Sequence, residues 1–287
     1  MTEQDTQPPA SDNPQQNTTP GKLVGVRGVA ASRGLGWFAE GFNLFKQAPW
    51  IWILNGLLFF IILGLLNWIP KVPVFTILLT PAFVGGLMLG CRDLDLGQRL
   101  RVAHLFAGFQ NRAGALIGLG ALNLILTILI VGVVFGVMFV LGSVDLEILE
   151  AWESGQMNEQ QMLFILLVML FMLPLFMLFW FAPTLIVLHD DVGILEAMRL
   201  SFLGCLKNML PFLIYGIVGF ILMLLANILL GLGLLVASFL FNAIHVYGNV
   251  MLIPGILAFI LFSLGWFVFV SVLFGSIYAS YKEIFLD

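Results

Sequence analysis

Residues 190–210, DDVGILEAMRLSFLGCLKNML, carry the reading that decides the fold. Leu195, Met198, Phe202 and Leu206 recur at helical spacing, while Glu196, Arg199 and Lys207 fall largely elsewhere on the helix. Such a helix lies on a membrane surface, one face in lipid and the other among headgroups. An uncharged apolar run follows from Met209, so the surface helix opens into a spanning one.

Two other stretches repeat the arrangement. Leu35, Phe38, Phe42 and Phe45 make an apolar face with Glu40, Asn43 and Gln47 opposite, and Val102, Phe106 and Phe109 do so with Arg101 and His104 opposite. Their exits are alike: Phe45-Lys46-Gln47, Phe109-Gln110-Asn111 and Leu206-Lys207-Asn208. Phe45 aligns with Phe109 and Leu206, and Gly56 with Gly120, although the third face fits best after a shift of one residue. These are parallel units of one surface helix and two spans, unlike the inverted pairs common in transporters.

Composition puts the chain in a bilayer. It is 61% hydrophobic and only 10% charged, with a mean hydropathy of +1.06, whereas soluble domains carry roughly 45–50% apolar and about 25% charged residues. The net charge of -4 includes an acidic cluster in one loop and points to no nucleic acid. Residues 1–32 are polar and rich in Gln, Thr and Pro, a disordered tail without the pattern of a signal peptide. Residues 33–287 form the membrane domain.

A span needs about 20 mostly apolar residues. The runs at 50–68, 74–91, 113–141 and 162–188 qualify, with a kink expected near Pro174 or Pro183 in the last. Residues 209–279 hold no formal charge and require two more spans, with an outer turn around 241–249. The expected fold is an all-α polytopic bundle of about six spans in three hairpins, each preceded by an amphipathic helix at the cytoplasmic interface. Eleven of the twelve Lys and Arg fall on one side of this plan and only Lys71 on the other. The positive-inside rule then makes both termini cytoplasmic and the loop bearing Asp145, Glu147, Glu150, Glu153 and Glu159 external.

Chemistry is sparse. Intramembrane charges, which usually mark ion paths, are missing from these spans, and Asn55, Asn123, Thr127 and Asn227 are expected to bond between helices or to line a path for a neutral solute. His104, His189, Asp190 and Asp191 lack metal-site spacing and read as solvated cap residues. Cys91 and Cys205 stand apart as small apolar side chains, without zinc spacing and without an expected disulfide. No catalytic residue, metal ligand or cofactor is expected. Arg99, Arg101 and Arg112 beside an amphipathic face either contact anionic lipid headgroups or simply anchor their loop inside.

Residues 32–52, SRGLGWFAEGFNLFKQAPWIW, and 97–111, GQRLRVAHLFAGFQN, resemble a family of uncharacterised multi-pass inner-membrane proteins of proteobacteria. More distantly, the plan of surface helices and hairpins resembles the membrane domain of some bacterial glycerophosphodiester phosphodiesterases. That resemblance implies architecture and location and supplies no catalytic residue. The expectation is a noncatalytic inner-membrane protein that contacts lipid, a protein partner or a second copy of itself through its cytoplasmic surface helices. The alternative is a transporter or channel for a neutral or lipid-like solute.

Overall fold

The computed structural model is an all-α bundle and describes residues 23, 25–68, 73–140, 159–243 and 252–287. In chain order the helices are α1 (Arg33–Gln47), α2 (Pro49–Trp68), α3 (Pro73–Asp95), α4 (His104–Gln110), α5 (Ala113–Val140), α6 (Glu159–Phe179), α7 (Ala182–Leu188), α8 (Ile194–Lys207), α9 (Met209–Ala243) and α10 (Leu252–Phe285). Among the described residues, five segments are long and apolar enough to cross a membrane: Pro49–Trp68, Val74–Asp95, Ala113–Val140, Gln161–Leu188 and Ser263–Phe285. Ile194–Lys207 and Met209–Leu225 pass the same test as a pair bent by 80°, which brings the possible spans to six. Of the outer turn expected at 241–249, residues 241–243 still belong to α9 and 244–249 lie outside the described residues, as do residues 1–22 and 145–153; Glu159, the last acid of the expected acidic loop, opens α6.

The outward side chains explain why water cannot be the solvent. Ile125, Ile128 and Leu129 on α5, Leu166 and Leu170 on α6, and Phe220 and Leu224 on α9 are all exposed. Contiguous apolar surface of this extent is unfavourable in water and costs nothing against lipid chains. This is an integral membrane protein.

The core gathers around the short helices. Trp37 of α1, Leu105 of α4 and Tyr281 and Phe285 of α10 are fully buried, together with Phe181 between α6 and α7. A cyclic order underlies the packing: α1 lies on α10, α4 on α3, and α8 on α6 and α7. Each short helix thus closes on the last helix of the unit before it, and α1 closes the ring.

Small residues make those closures possible. Gly41 of α1 lies so near α10 that a Cβ there would stand 2.5 Å from Val272 O and 2.6 Å from Ser276 N. Gly108 of α4 presses on the carbonyl of Ala82, and Gly86 of α3 on that of His104. On α8 the buried side is Ala197, Ser201, Gly204 and Cys205, with Met198 and Leu200 beside them.

The apolar faces read from the sequence are therefore only partly the buried ones. Phe38, Phe45 and Met198 are buried, but Leu35, Phe42, Phe106, Leu195 and Leu206 point outward. Periodicity marks every apolar side chain alike, whereas a close helix crossing selects the small ones. The large ones divide, with Trp37, Phe38 and Phe45 buried and Leu35 and Phe42 left for lipid.

Pro183, rather than Pro174, breaks the fourth span. α6 runs through Pro174, ends at Phe179, and α7 begins at Ala182 with Pro183 in its first turn. Ser201 repairs the break: Phe181 N–H donates to its Oγ at 2.9 Å, and its hydroxyl donates to Met177 O at 2.7 Å. The polar span residues bond differently from expectation. Asn227 donates to Met223 O of its own helix at 2.7 Å, Thr127 reaches Asn123 on the same helix at 3.4 Å, and buried Asn55 has no partner.

Residues 25–32, at the end of the polar stretch read as tail, lie against the bundle. Asn208 Oδ1 accepts Val29 N–H at 2.8 Å while its Nδ2 donates to Arg27 O at 2.9 Å. Arg27 N–H also reaches Ile284 O at 2.9 Å. A side-chain carboxamide can satisfy two backbone groups at once, which composition alone does not reveal.

Candidate functional site at the charged end of the bundle

The last turns of α10 collect contacts from all three units. Lys282 Nζ donates to Asp95 of α3 at 2.6 and 2.7 Å, and the Tyr278 hydroxyl donates to the same carboxylate at 3.4 Å. Glu283 accepts Arg33 Nε at 2.6 Å on one oxygen and Trp37 Nε1 at 2.7 Å on the other. Arg33 reaches onward to Glu40 at 2.6 Å. Tyr281 meets Nε2 of His189, just beyond α7, at 2.5 Å.

A polar cavity of about 370 Å³ lies beside this clasp, with Arg27, Glu40, Arg92, Asp95, Tyr278 and Lys282 among its walls. The hydrogen bonds to Glu283 and then Glu40 raise the pKa of Arg33 and hold its charge. Burial lowers the pKa of His189, against the weaker opposing pull of Asp191 and Asp190. Opposite charges answer one another across the clasp, so its first consequence is to fasten α1 and α3 to α10.

The loop between α3 and α4 has its own fastening. Arg101 N–H lies 2.9 Å from His104 Nδ1, and the other ring nitrogen, Nε2, lies 2.9 Å from the Asp93 carboxylate. Asp93 also receives Arg92 Nη2 at 3.1 Å. His104 and His189 are engaged in separate places, and among the described residues no three His, Cys, Asp or Glu side chains converge as a metal site would require. Cys91 and Cys205 are both buried and free.

The three arginines singled out by sequence occupy two kinds of place. Arg99 and Arg101 are exposed on the loop before α4, beside exposed Leu96 and Phe106. Arg112 turns inward at the α4–α5 junction, where its φ is +63°. Its guanidinium donates to the carbonyls of Asp190 and of Val192, the latter at 2.7 Å, so it holds the α7–α8 turn.

Sequence reasoning missed the clasp. Glu40 read only as the polar side of the first surface helix, and Asp95, Lys282 and Glu283 entered no candidate site. The available signal was acids, Glu40, Asp95 and Glu283, within segments otherwise assigned to the basic side. Which base each acid meets depends on the ring closing.

The chain is similar to a probable inner membrane protein of Burkholderia thailandensis, 26% identical over 270 residues that cover 90% of this chain and 92% of that protein. No protein-family model matches it. No solved structure matches it.

Proposed function

We propose that this is a noncatalytic protein of the bacterial inner membrane that seats its basic end on anionic lipid headgroups through the outer faces of α1, α4 and α8. The observation that carries the reading is the pairing on those faces of exposed apolar side chains with exposed cations. Leu35 and Phe42 stand with Lys46 on α1, Phe106 with Arg99 and Arg101 at α4, and Leu195 and Leu206 with Arg199 and Lys207 on α8. Apolar side chains sink below the headgroups and each nearby cation adds about 1 kcal/mol of attraction to an anionic surface. With the basic end cytoplasmic, these faces meet the inner leaflet. Arg112, turned to backbone carbonyls, is assigned to the α7–α8 turn rather than to this surface. The name of the Burkholderia relative and the resemblance to multi-pass inner-membrane proteins support the location.

The test is retention of lipid. Wild type and Arg99→Gln/Arg101→Gln protein are reconstituted in mixed vesicles, extracted gently and analysed for bound phosphatidylglycerol against phosphatidylcholine. Wild type retains the anionic lipid preferentially and the double variant loses that preference. Equal preference in both would remove these arginines from the reading.

A second reading, passage of a neutral solute, is favoured by one observation. Asn55 is fully buried in α2 with neither amide atom partnered, and Trp52 Nε1, one turn away, is also without a partner. Buried polar groups ordinarily carry hydrogen bonds, and unpaired ones often have a role outside stability. Asn55→Leu abolishes flux in liposomes under this reading. Flux unchanged by the substitution, or absent from wild type across a broad solute panel, counts against it.

A further inference from the structure

The polar cavity beside the clasp, about 370 Å³, is large enough for a small molecule. Its charged lining divides into groups already paired and groups left over. Both oxygens of Asp95 accept donors, from Lys282 and Tyr278, and both oxygens of Glu283 do so, from Arg33 and Trp37. Arg92 gives Nε and Nη2 to Asp93 at 3.3 and 3.1 Å, which leaves Nη1. Arg33 takes one oxygen of Glu40 at 2.6 Å, which leaves the other. Among the described residues the side chains of Arg27 and Asp287, both exposed and both lining the cavity, have no partner.

Arg27 is not a loose surface cation. Its N–H donates to Ile284 O and its carbonyl accepts from Asn208 Nδ2, both at 2.9 Å. The backbone is thus held on both sides while the guanidinium at the cavity stays unpaired. Such a group is preorganised to receive an anion.

We infer that the cavity binds a small phosphomonoester that also carries an ammonium group. Two guanidinium groups on different elements, Arg27 before α1 and Arg92 on α3, suit an anion with more than two free oxygens. One guanidinium fork satisfies both oxygens of a carboxylate, whereas a phosphomonoester offers three oxygens and more negative charge. The acceptors left over, Glu40 Oε2 and the Asp287 carboxylate, repel a plain anion and suit a cationic donor. An ammonium has three N–H groups to divide between them. The inference goes beyond the proposed headgroup surface, which uses neither Arg27 nor Arg92. A phospholipid headgroup phosphate, being a diester, has only two free oxygens.

Full-length protein in detergent is titrated calorimetrically with O-phosphoethanolamine, and with inorganic phosphate and ethanolamine as its two halves. Phosphoethanolamine should bind saturably, phosphate about tenfold more weakly, the weight of one charge-assisted hydrogen bond, and ethanolamine more weakly still. Arg27→Gln should weaken phosphoethanolamine and phosphate alike, about tenfold. Asp287→Asn should weaken phosphoethanolamine about fivefold and leave phosphate as tight or tighter, a split that a merely structural role would not produce. Both side chains are exposed and unpaired, so ligand-free melting midpoints should match wild type. Should Arg27→Gln lower its midpoint, Arg27→Lys is read in its place, since it keeps the charge, lacks the fork and should still bind phosphate more weakly than wild type. Absence of saturable binding, equal affinity for phosphoethanolamine and phosphate, or affinities unchanged by both substitutions would each overturn the inference. So would a midpoint raised by phosphatidylethanolamine nanodiscs and not by free phosphoethanolamine, which would give the site to a lipid.

Discussion

Gly41 of α1 and Gly275 of α10 cross with no side chain between them: a Cβ on Gly275 would stand 2.9 Å from both the Cα and the carbonyl oxygen of Gly41. Backbone cannot retreat as a flexible side chain does, so any larger residue must part the helices. Parting them also pulls Arg33 and Trp37 away from Glu283.

Gly275→Val is expected to destabilise the protein by about 1–3 kcal/mol, the usual cost of overpacking. Unfolding in detergent, followed by tryptophan fluorescence, measures it. Gly265→Ala on the same helix meets open space and should leave the midpoint nearly unchanged. Equal behaviour of the two variants would contradict the crossing.

Ser201→Ala removes the hydroxyl that bridges Phe181 N–H and Met177 O. A buried donor left without a partner costs about 1–3 kcal/mol. The loss should fall at the α6–α7 break, so hydrogen exchange of residues 180–183 should quicken before that of α5. An exchange pattern identical to wild type would show that the bridge does not hold the break.

Arg112→Ala should lower stability more than Arg99→Ala. The guanidinium of Arg112 is the donor to the Asp190 and Val192 carbonyls, whereas Arg99 is exposed. Hydrogen bonds to a charged group contribute about 1.5–3 kcal/mol, and an exposed surface change usually stays within about 0.5 kcal/mol. Parallel melting curves decide it; indistinguishable midpoints would put Arg112 among the dispensable charges.

Stability should fall with acidification through His189. Burial lowers its folded pKa below the ordinary value of 6.5. Between those two values the unfolded chain binds more protons than the folded one, so stability rises with pH across that window and is lost as pH falls. Above 6.5 the contribution is fully present. His189→Gln, which can still bond the Tyr281 hydroxyl, should flatten this part of the pH profile without abolishing folding. A profile as steep as wild type would assign the dependence to other groups.

Much of the fold was legible because membrane spans announce themselves. The run from Pro49 to Trp68 needs only its own backbone hydrogen bonds and an apolar surround, and both follow from local sequence. Residues 190–210 likewise contained a helix, a stop at Asn208 and a second helix, since charge and apolar spacing change there. The candidate site was less legible. Lys282 and Asp95 are 187 positions apart, and no local pattern couples them.

What the sequence by itself determined was the solvent and the elements: a bilayer, long apolar helices, and α1, α4 and α8 ahead of α2, α5 and α9. Hydrophobicity and helical period are properties of a segment, and each segment displays them alone. What only the tertiary structure decided was which side of each short helix faces protein. Gly41, Gly108 and Gly204 turn inward, while Leu35, Phe106 and Leu195 turn outward. In a bilayer a leucine against lipid loses almost nothing, so burial is decided by how closely two backbones can approach.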